Sequence, residues 1–220
     1  MSLAADVERE KQLAAQAAAQ VVEGGMTVGL GSGSTVAYLL PALAARRLDV
    51  VCVASSPATQ QRARALGMDV EPFVGASAPA RLDLAIDGAD QVAPSGWLVK
   101  GGGAAHTREK ALAAAADRFV VIVSSNKVVE RLSSPVPLEL LEFGLGATLA
   151  RLVTVRLRDV PRSPDGGVIA DYTGEFGDPE LLASQLSAAT GVVEHGLFGP
   201  TLVSEVLVAR GERVRRVLPQ

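Results

Sequence analysis

Residues 82–110 read L-D-L-A-I-D-G-A-D-Q-V, then a short A-P-S-G turn, then W-L-V-K-G-G-G-A-A-H-T-R-E-K. Leu82, Leu84 and Ile86 alternate as in a strand, and the run stops at Asp87-Gly88-Ala89-Asp90. Both aspartates therefore fall just past the carboxyl end of a strand, where open α/β sheets place ligands. Gly101, Gly102 and Gly103 have no side chain to pack and cost backbone entropy, which fits a loop that another molecule approaches closely. The residues that follow read as a helix with Glu109 in or near its first turn, so the loop presents N–H donors to an anion, with Lys100 beside it. Taken singly, D-G-A-D is an ordinary turn and a first-turn glutamate complements the helix dipole. Together in one short interval they mark a site, because a packed core has no use for three carboxylates, an ammonium and three glycines.

Upstream, residues 4–22 read as an Ala/Gln-rich helix stopped by Gly24-Gly25, with Lys11 on a solvated face. Residues 26–44, M-T-V-G-L-G-S-G-S-T-V-A-Y-L-L-P-A-L-A, are a strand, a glycine loop and a helix in succession. Ser32, Gly33, Ser34 and Thr35 offer N–H groups and hydroxyls to an anion at that helix N-terminus. No G-K-[ST] follows, so this is not a Walker loop, and Gly29-x-Gly31-x-x-Ser34 lacks the third glycine of a dinucleotide fingerprint. Asp49 precedes the strand V-V-C-V-A, whereas a ribose-binding acid belongs at the strand's far end. The loop reads as a phosphomonoester site rather than a nicotinamide site.

A helix from Gln60 to Leu66 and a short strand near Asp69 to Phe73 come next, and R-F-V-V-I-V-S-S-N-K at 118–127 is a strand apolar on both faces, with Lys127 just beyond it. Four strands thus end in polar clusters, at Ser32 to Thr35, Ser55-Ser56, Asp87 to Asp90 and Ser124 to Lys127, and a doubly wound sheet brings such ends to one edge. From Ser133 the rhythm changes. A strand at 135–141, a helix at 142–152, strands at 154–160 and 168–176, a helix capped by Asp178-Pro179, and a strand at 192–198 give β-α-β-β-α-β, the ferredoxin-like pattern. Two further strands around Arg210-Gly211-Glu212 return to the first domain. The expected architecture is α/β: a Rossmann-like doubly wound, mostly parallel sheet formed by residues 1–131 and 203–220, with a smaller ferredoxin-like α+β domain at 132–202.

The chain has 220 residues, 48% of them hydrophobic, with 21 basic and 24 acidic side chains and a net charge of −3. That balance describes a globular protein and provides no basic stripe to attract nucleic acid. A single Cys52 excludes a disulfide framework, and with only His106 and His195 there is no Cys/His metal spacing. His195 reads as structural; His106 adjoins the proposed site but has no partner motif. The start, M-S-L-A-A-D-V-E-R-E-K, lacks the basic-then-apolar pattern of a secretory signal, and apolar runs are interrupted well short of the ~18 residues of a membrane span. A soluble, cytoplasmic protein with no membrane partner is expected.

An anion cradle, a second glycine loop beside a lysine, paired aspartates and one glutamate suit proton transfer next to a carbonyl on a phosphorylated substrate. A carboxylate takes the proton α to the carbonyl and returns it to the neighbouring carbon, while Lys100 and loop N–H groups stabilise the enediolate oxygen. Sugar-phosphate aldose–ketose isomerisation is the natural candidate.

Several stretches, in order along nearly the whole chain, make the sequence resemble ribose-5-phosphate isomerase type A. They are G-S-G-S-T at 31–35, D-G-A-D at 87–90, K-G-G-G-A-A-H-T-R-E-K at 100–110, Lys127, P-V-P-L-E-L at 135–140 and G-V-V-E-H-G-L-F at 191–198. The resemblance implies that Glu109 is the general base, that Asp87 and Asp90 handle sugar hydroxyls and ring opening, and that Lys100 with Gly101 to Gly103 faces the reacting oxygens. It also implies that Ser32 to Thr35 and Lys127 bind substrate at its phosphate end, with Gly88 and Ala89 lining the same site. No cofactor or metal is implied, and a homodimer or tetramer is. Lys11 falls where that family often has a basic residue.

Three positions depart from the family pattern: Ser-Ser-Asn before Lys127, His106 where an apolar residue is common, and Pro164-Asp165-Gly166-Gly167 in place of a T-D-N-G-N turn. None removes a proposed catalytic group. Two alternatives stand beside the isomerase: a related amino-sugar-phosphate isomerase or deaminase, and a non-catalytic sugar-phosphate sensor, which would have little need of Glu109.

Overall fold

A computed structural model describes residues 3–218 of the chain. In chain order, the first part comprises α1 (Leu3–Ala19), β1 (Thr27–Leu30), α2 (Gly33–Ala44), β2 (Val51–Ala54), α3 (Pro57–Ala65), β3 (Asp69–Glu71) and β4 (Leu84–Asp87). Then come β5 (Gln91–Val92), β6 (Leu98–Val99), α4 (His106–Ala115) and β7 (Phe119–Ser124). The remainder comprises β8 (Val136–Leu140), α5 (Leu145–Arg151), β9 (Val155–Leu157), β10 (Val168–Tyr172), α6 (Pro179–Ala188), β11 (Val192–His195), β12 (Leu197–Phe198), β13 (Glu205–Arg210) and β14 (Arg213–Val217).

The larger sheet runs β14-β13-β7-β4-β1-β2-β3, parallel throughout except for the β13–β14 hairpin. All six residues of β7 are buried, as F-V-V-I-V requires of a strand paired on both sides and covered on both faces. The chain winds from β1 out to β3 and then returns to place β4 on the other side of β1. Loops leaving β1 and β4 therefore diverge at their carboxyl ends and open a crevice there. Beneath it, Leu30, Leu39, Leu40, Ile86 and Ile122 form a core with α1 and α2 on one face, while Phe119, Val121 and Phe198 pack the other.

The second sheet is antiparallel, in the order β11-β8-β10-β9, with α5 and α6 as the two crossovers. Numbered within this unit, that is 4-1-3-2, the arrangement in which the β-α-β-β-α-β pattern places its last strand beside its first. Leu138, Leu140, Leu182 and Leu186 fill the core between this sheet and its helices.

The structure departs from the sequence expectations at four places. The first helix ends at Ala19 rather than near Val22, because the Arg46 guanidinium takes the carbonyls of both Ala19 and Val22. α3 begins at Pro57, ahead of Gln60, since the Ser56 hydroxyl accepts the Thr59 N–H at 3.1 Å and caps it. α5 starts only at Leu145, after Gly144 with φ of +73°. Finally, 192–198 is not one strand: β11 pairs with β8, but after Gly196 the chain crosses to pair β12 with β6. With the β5–β6 hairpin, where a plain turn was expected, β12 builds a third, three-stranded sheet between the other two. The crossing positions the site directly, because Lys100 N–H donates to Gly196 O at 2.8 Å and Gly196 N–H to Pro137 O at 2.7 Å.

Candidate active site

Asp87 is the last residue of β4 and turns its carboxylate toward the end of β1. Only glycine can stand opposite it at position 31, where a Cβ would lie 1.9 Å from the Asp87 Cγ. Asp87 Oδ1 accepts the N–H groups of Ser32 at 3.1 Å and Gly88 at 2.7 Å. Its Oδ2 accepts from Lys100 Nζ at 2.8 Å. The same ammonium donates to Gly88 O at 2.6 Å and lies 3.0 Å from Glu109 Oε2. Phe198 of β12 puts its ring centroid 5.3 Å from that Nζ. Glu109, in the first turn of α4, accepts the Ser32 hydroxyl at 2.6 Å through Oε1. Side chains of Asp87, Lys100 and Glu109 are at most 5% exposed, so one ammonium stands between two carboxylates in a nearly dry setting.

That geometry separates the two acids. Burial and the charge on Glu109 push Asp87 up to about 7, against the opposing pull of Lys100 and the Gly88 N–H. Burial also acts on Glu109, but Lys100 and the Ser32 hydroxyl outweigh it and hold the carboxyl below its ordinary range. Lys100 is raised: burial disfavours its charge, and the two carboxylates more than offset that. The site therefore keeps an ionised glutamate beside an aspartate that changes protonation near neutrality, the separation that acid–base chemistry uses.

These groups open onto a cleft of about 450 Å³, counting space continuous with solvent. Each residue proposed to bind or transform the substrate lines it: Ser32 to Thr35 at the N-terminus of α2, Asp87 to Asp90 at the end of β4, Lys100 to Gly103, Glu109, and Lys127 in the short 3-10 turn after β7. The first-turn N–H groups of α2 have no partner within the helix and face an incoming anion. Asp90 accepts the Gly102 N–H at 2.8 Å.

Other expectations fare differently. Ser55-Ser56 does not join the cleft: Ser56 caps α3, and the Ser55 hydroxyl is buried without a partner. Lys11 is not on a freely solvated face; its side chain is 14% exposed and pairs with Glu8 at 2.6 Å, off the cleft. His106 is fully buried against Gly101, its Nδ1 unpartnered and its pKa lowered by that burial. His195 is held among Ser187, Lys110 and the Leu197 N–H, away from the cleft. Arg158, in contact with the glycine loop, carried no signal in the sequence, and Phe198, whose ring lies beside Lys100, closed a quoted motif without being marked as part of the site. Among the described residues, no group of three or more His, Cys, Asp or Glu side chains is arranged to hold a metal ion.

The family described as Ribose 5-phosphate isomerase A (phosphoriboisomerase A) matches residues 51–213. A relative named Ribose-5-phosphate isomerase A, from Caulobacter sp. (strain K31), is 41% identical over 96% of this chain and 98% of its own. The chain belongs to the ribose 5-phosphate isomerase A family. Solved structures of ribose 5-phosphate isomerase A agree: that from Neisseria gonorrhoeae superposes with a TM-score of 0.90 at 27% identity, covering 97% of this chain and 98% of that one. A D-ribose-5-phosphate isomerase in complex with phospho-erythronic acid gives 0.88 at 31% identity, covering 96% and 99%. The DeoR C terminal sensor domain also matches, over residues 6–66. That segment includes the N-terminus of α2 but ends before Asp87, Lys100 and Glu109, so the match covers only part of the cleft lining.

Proposed function

We propose that the chain interconverts D-ribose 5-phosphate and D-ribulose 5-phosphate through an enediolate, the isomerase step of the pentose phosphate pathway, with Glu109 as the base. One observation carries the assignment of the base: Glu109 is buried, held ionised by Lys100 and Ser32, and opens on the cleft that the α2 N-terminus and the glycine loop share. The substrate phosphate sits at the α2 N-terminus, with the hydroxyls of Ser34 and Thr35 and the ammonium of Lys127 around it. Asp87 and Asp90 take the sugar hydroxyls and assist ring opening.

In the open-chain aldose, the Glu109 carboxylate breaks the C2–H bond, and the electron pair forms the C1–C2 double bond while charge moves onto O1. Lys100 and the N–H groups of the glycine loop stabilise that oxygen. Protonated Glu109 then delivers the proton to C1, the O2 proton passes to O1, and C2 becomes the ketone. Asp87, pushed up to about 7, can both release and accept a proton near neutrality and is suited to carry the hydroxyl proton. Phospho-erythronic acid, present in one of the similar solved structures, carries a phosphate and a carboxylate and serves as a probe of the proposed contacts.

Incubation with ribose 5-phosphate in heavy water, followed by NMR, tests the reading. Ribulose 5-phosphate carrying solvent deuterium at C1 is the expected result. Saturable binding without conversion would instead revive the sensor, and hexose phosphate turnover at a comparable rate would favour an amino-sugar-phosphate enzyme.

A further inference from the structure

Arg158 stands just past β9 and reaches out of the four-stranded sheet to the glycine loop of the cleft. Its Nη1 donates to Gly101 O at 3.0 Å and to Gly102 O at 3.2 Å. Asp171 on β10 grips the other side, accepting from Nε at 2.9 Å and from Nη2. A bidentate pair of this kind fixes the plane of the guanidinium, and the Arg158 side chain is only 19% exposed.

The loop needs such a restraint. Three glycines in succession have no side chain to hold their backbone. Gly101 has φ of +104° and Ala104 φ of +61°, the latter sparsely populated for a residue with a Cβ. From within the larger sheet's side, the loop is held by the Ala104 N–H to Gly101 O bond at 3.1 Å and the Gly102 N–H to Asp90 bond at 2.8 Å. A trans peptide points its N–H opposite its C=O, so fixing the Gly101 and Gly102 carbonyls also fixes the Gly102 and Gly103 N–H directions. The Gly102 N–H meets Asp90. The Gly103 N–H has no hydrogen-bond partner among the described residues, and Gly103 lines the cleft. A cation on the Gly102 carbonyl polarises that peptide and strengthens its N–H as a donor.

Resting on the isomerase reading above, we propose that Arg158, locked by Asp171, is a positioning residue that orients and polarises the Gly101–Gly103 peptides, so that the Gly103 N–H meets the enediolate oxygen. A donor aimed at charge that develops only in the transition state is felt in kcat and not in ground-state affinity. Through this clamp the small antiparallel sheet takes part in a reaction whose acids and base all lie elsewhere.

The test uses the full chain with Arg158→Met and Arg158→Lys, measuring isomerisation of ribose 5-phosphate, inhibition by phospho-erythronic acid, and thermal unfolding. The Met variant is expected to lose about 10- to 100-fold in kcat, less than the full loss of an oxyanion donor because Arg158 acts through the peptide. KM for ribose 5-phosphate stays within about threefold, and the inhibition constant of phospho-erythronic acid rises by the same factor as kcat/KM falls, since uniform binding is untouched. The Lys variant keeps a cation but not the fork, and falls between wild type and Met. A kcat within about twofold of wild type in the folded Met variant, or a loss confined to KM, overturns the proposal; if the Met variant does not fold, a Lys variant within about twofold of wild type in kcat, or losing only in KM, overturns it instead. An inactive wild-type protein would overturn the isomerase reading itself, which is distinct from an active wild type beside unimpaired variants.

Discussion

Replacing Lys100 with Met removes the one cation that separates the charges of Asp87 and Glu109 while keeping most of the side chain's length and its contact with Phe198. Lys100 lies 2.8 Å from Asp87 and 3.0 Å from Glu109, with all three side chains nearly inaccessible. Removing one partner of a buried ion pair costs about 3–5 kcal/mol, because the remaining charge has neither water nor a counter-ion. In a chain of this size each kcal/mol moves the unfolding midpoint by about 2–4 °C, so Lys100→Met is expected to lower Tm by about 6–20 °C at mildly alkaline pH.

The loss has a definite pH dependence. In the wild type, Lys100 holds Glu109 below its ordinary range, so that contribution is present above the unfolded value and disappears only as pH falls through the lowered folded one. Without the ammonium, burial and mutual repulsion act alone, and both push carboxyl groups up. Lys100 pulls both carboxyls down, so its loss raises Asp87 above about 7 and frees Glu109 to rise from below its ordinary range. The folded variant then binds more protons than its unfolded chain between about pH 4 and pH 8, and its stability falls as pH rises through that window. The gap between wild type and variant is therefore widest above neutrality, narrows as pH falls, and closes only below the lowered folded value of Glu109. Urea unfolding of both proteins at several pH values across this range measures it directly. A gap of constant size at all pH would refute the reasoning, because it would mean that Lys100 contributes packing and not charge.

Glu109→Gln keeps the Ser32 contact but has no base, and is expected to lose about 10²- to 10⁴-fold in kcat with a nearly unchanged KM and no deuterium uptake at C1; full activity would remove Glu109 from the mechanism. His106→Leu deletes a buried ring nitrogen without a partner, and should raise stability by about 1–3 kcal/mol in chemical unfolding, with a fall in stability contradicting the idea that this nitrogen is unsatisfied. Glu10 accepts the Ser125 N–H at 2.8 Å and the Gly211 N–H at 2.7 Å, tying α1 to the turn that carries Lys127. Glu10→Leu should therefore raise KM for the sugar phosphate about 5- to 30-fold, the worth of about 1–2 kcal/mol of lost positioning, with kcat little changed; a drop in kcat at constant KM would place Glu10 elsewhere in the mechanism.

The larger sheet and the cleft were legible because their chemistry constrains residue type locally. A strand buried on both faces must be apolar throughout, as Phe119–Ser124 is, and the approach of the Asp87 carboxylate leaves no room for a Cβ at Gly31. A loop–helix junction built to receive an anion needs small residues and hydroxyls, and Ser32 to Thr35, which line the cleft, show that pattern within four positions. What was not legible is what tertiary pairing decides. Two-residue strands such as β6 and β12 carry no periodicity, so nothing in L-V or L-F announced that 197–198 leaves the antiparallel sheet to pair beside Lys100. Arg46 shortens the first helix by a contact across 24 to 27 residues, which no end signal near Val22 could reveal.

The same distinction explains why the cleft's supports were hidden while the groups proposed to react were plain. A group that meets substrate must have a particular chemistry at a particular place, and that combination stands out against an apolar strand or an alanine-rich helix. A group that holds such a residue in place needs only reach and charge, and an arginine after a short strand or a glutamate on an amphipathic helix has both without looking unusual. Glu10 reaches the turn of Lys127 from α1, Arg158 reaches Gly101 and Gly102 from the second sheet, and the Gly196 crossing holds Lys100 from between them. Each support comes from far along the chain, so the residues proposed to react, though written within one interval, are brought to their observed geometry by segments from both ends of the sequence.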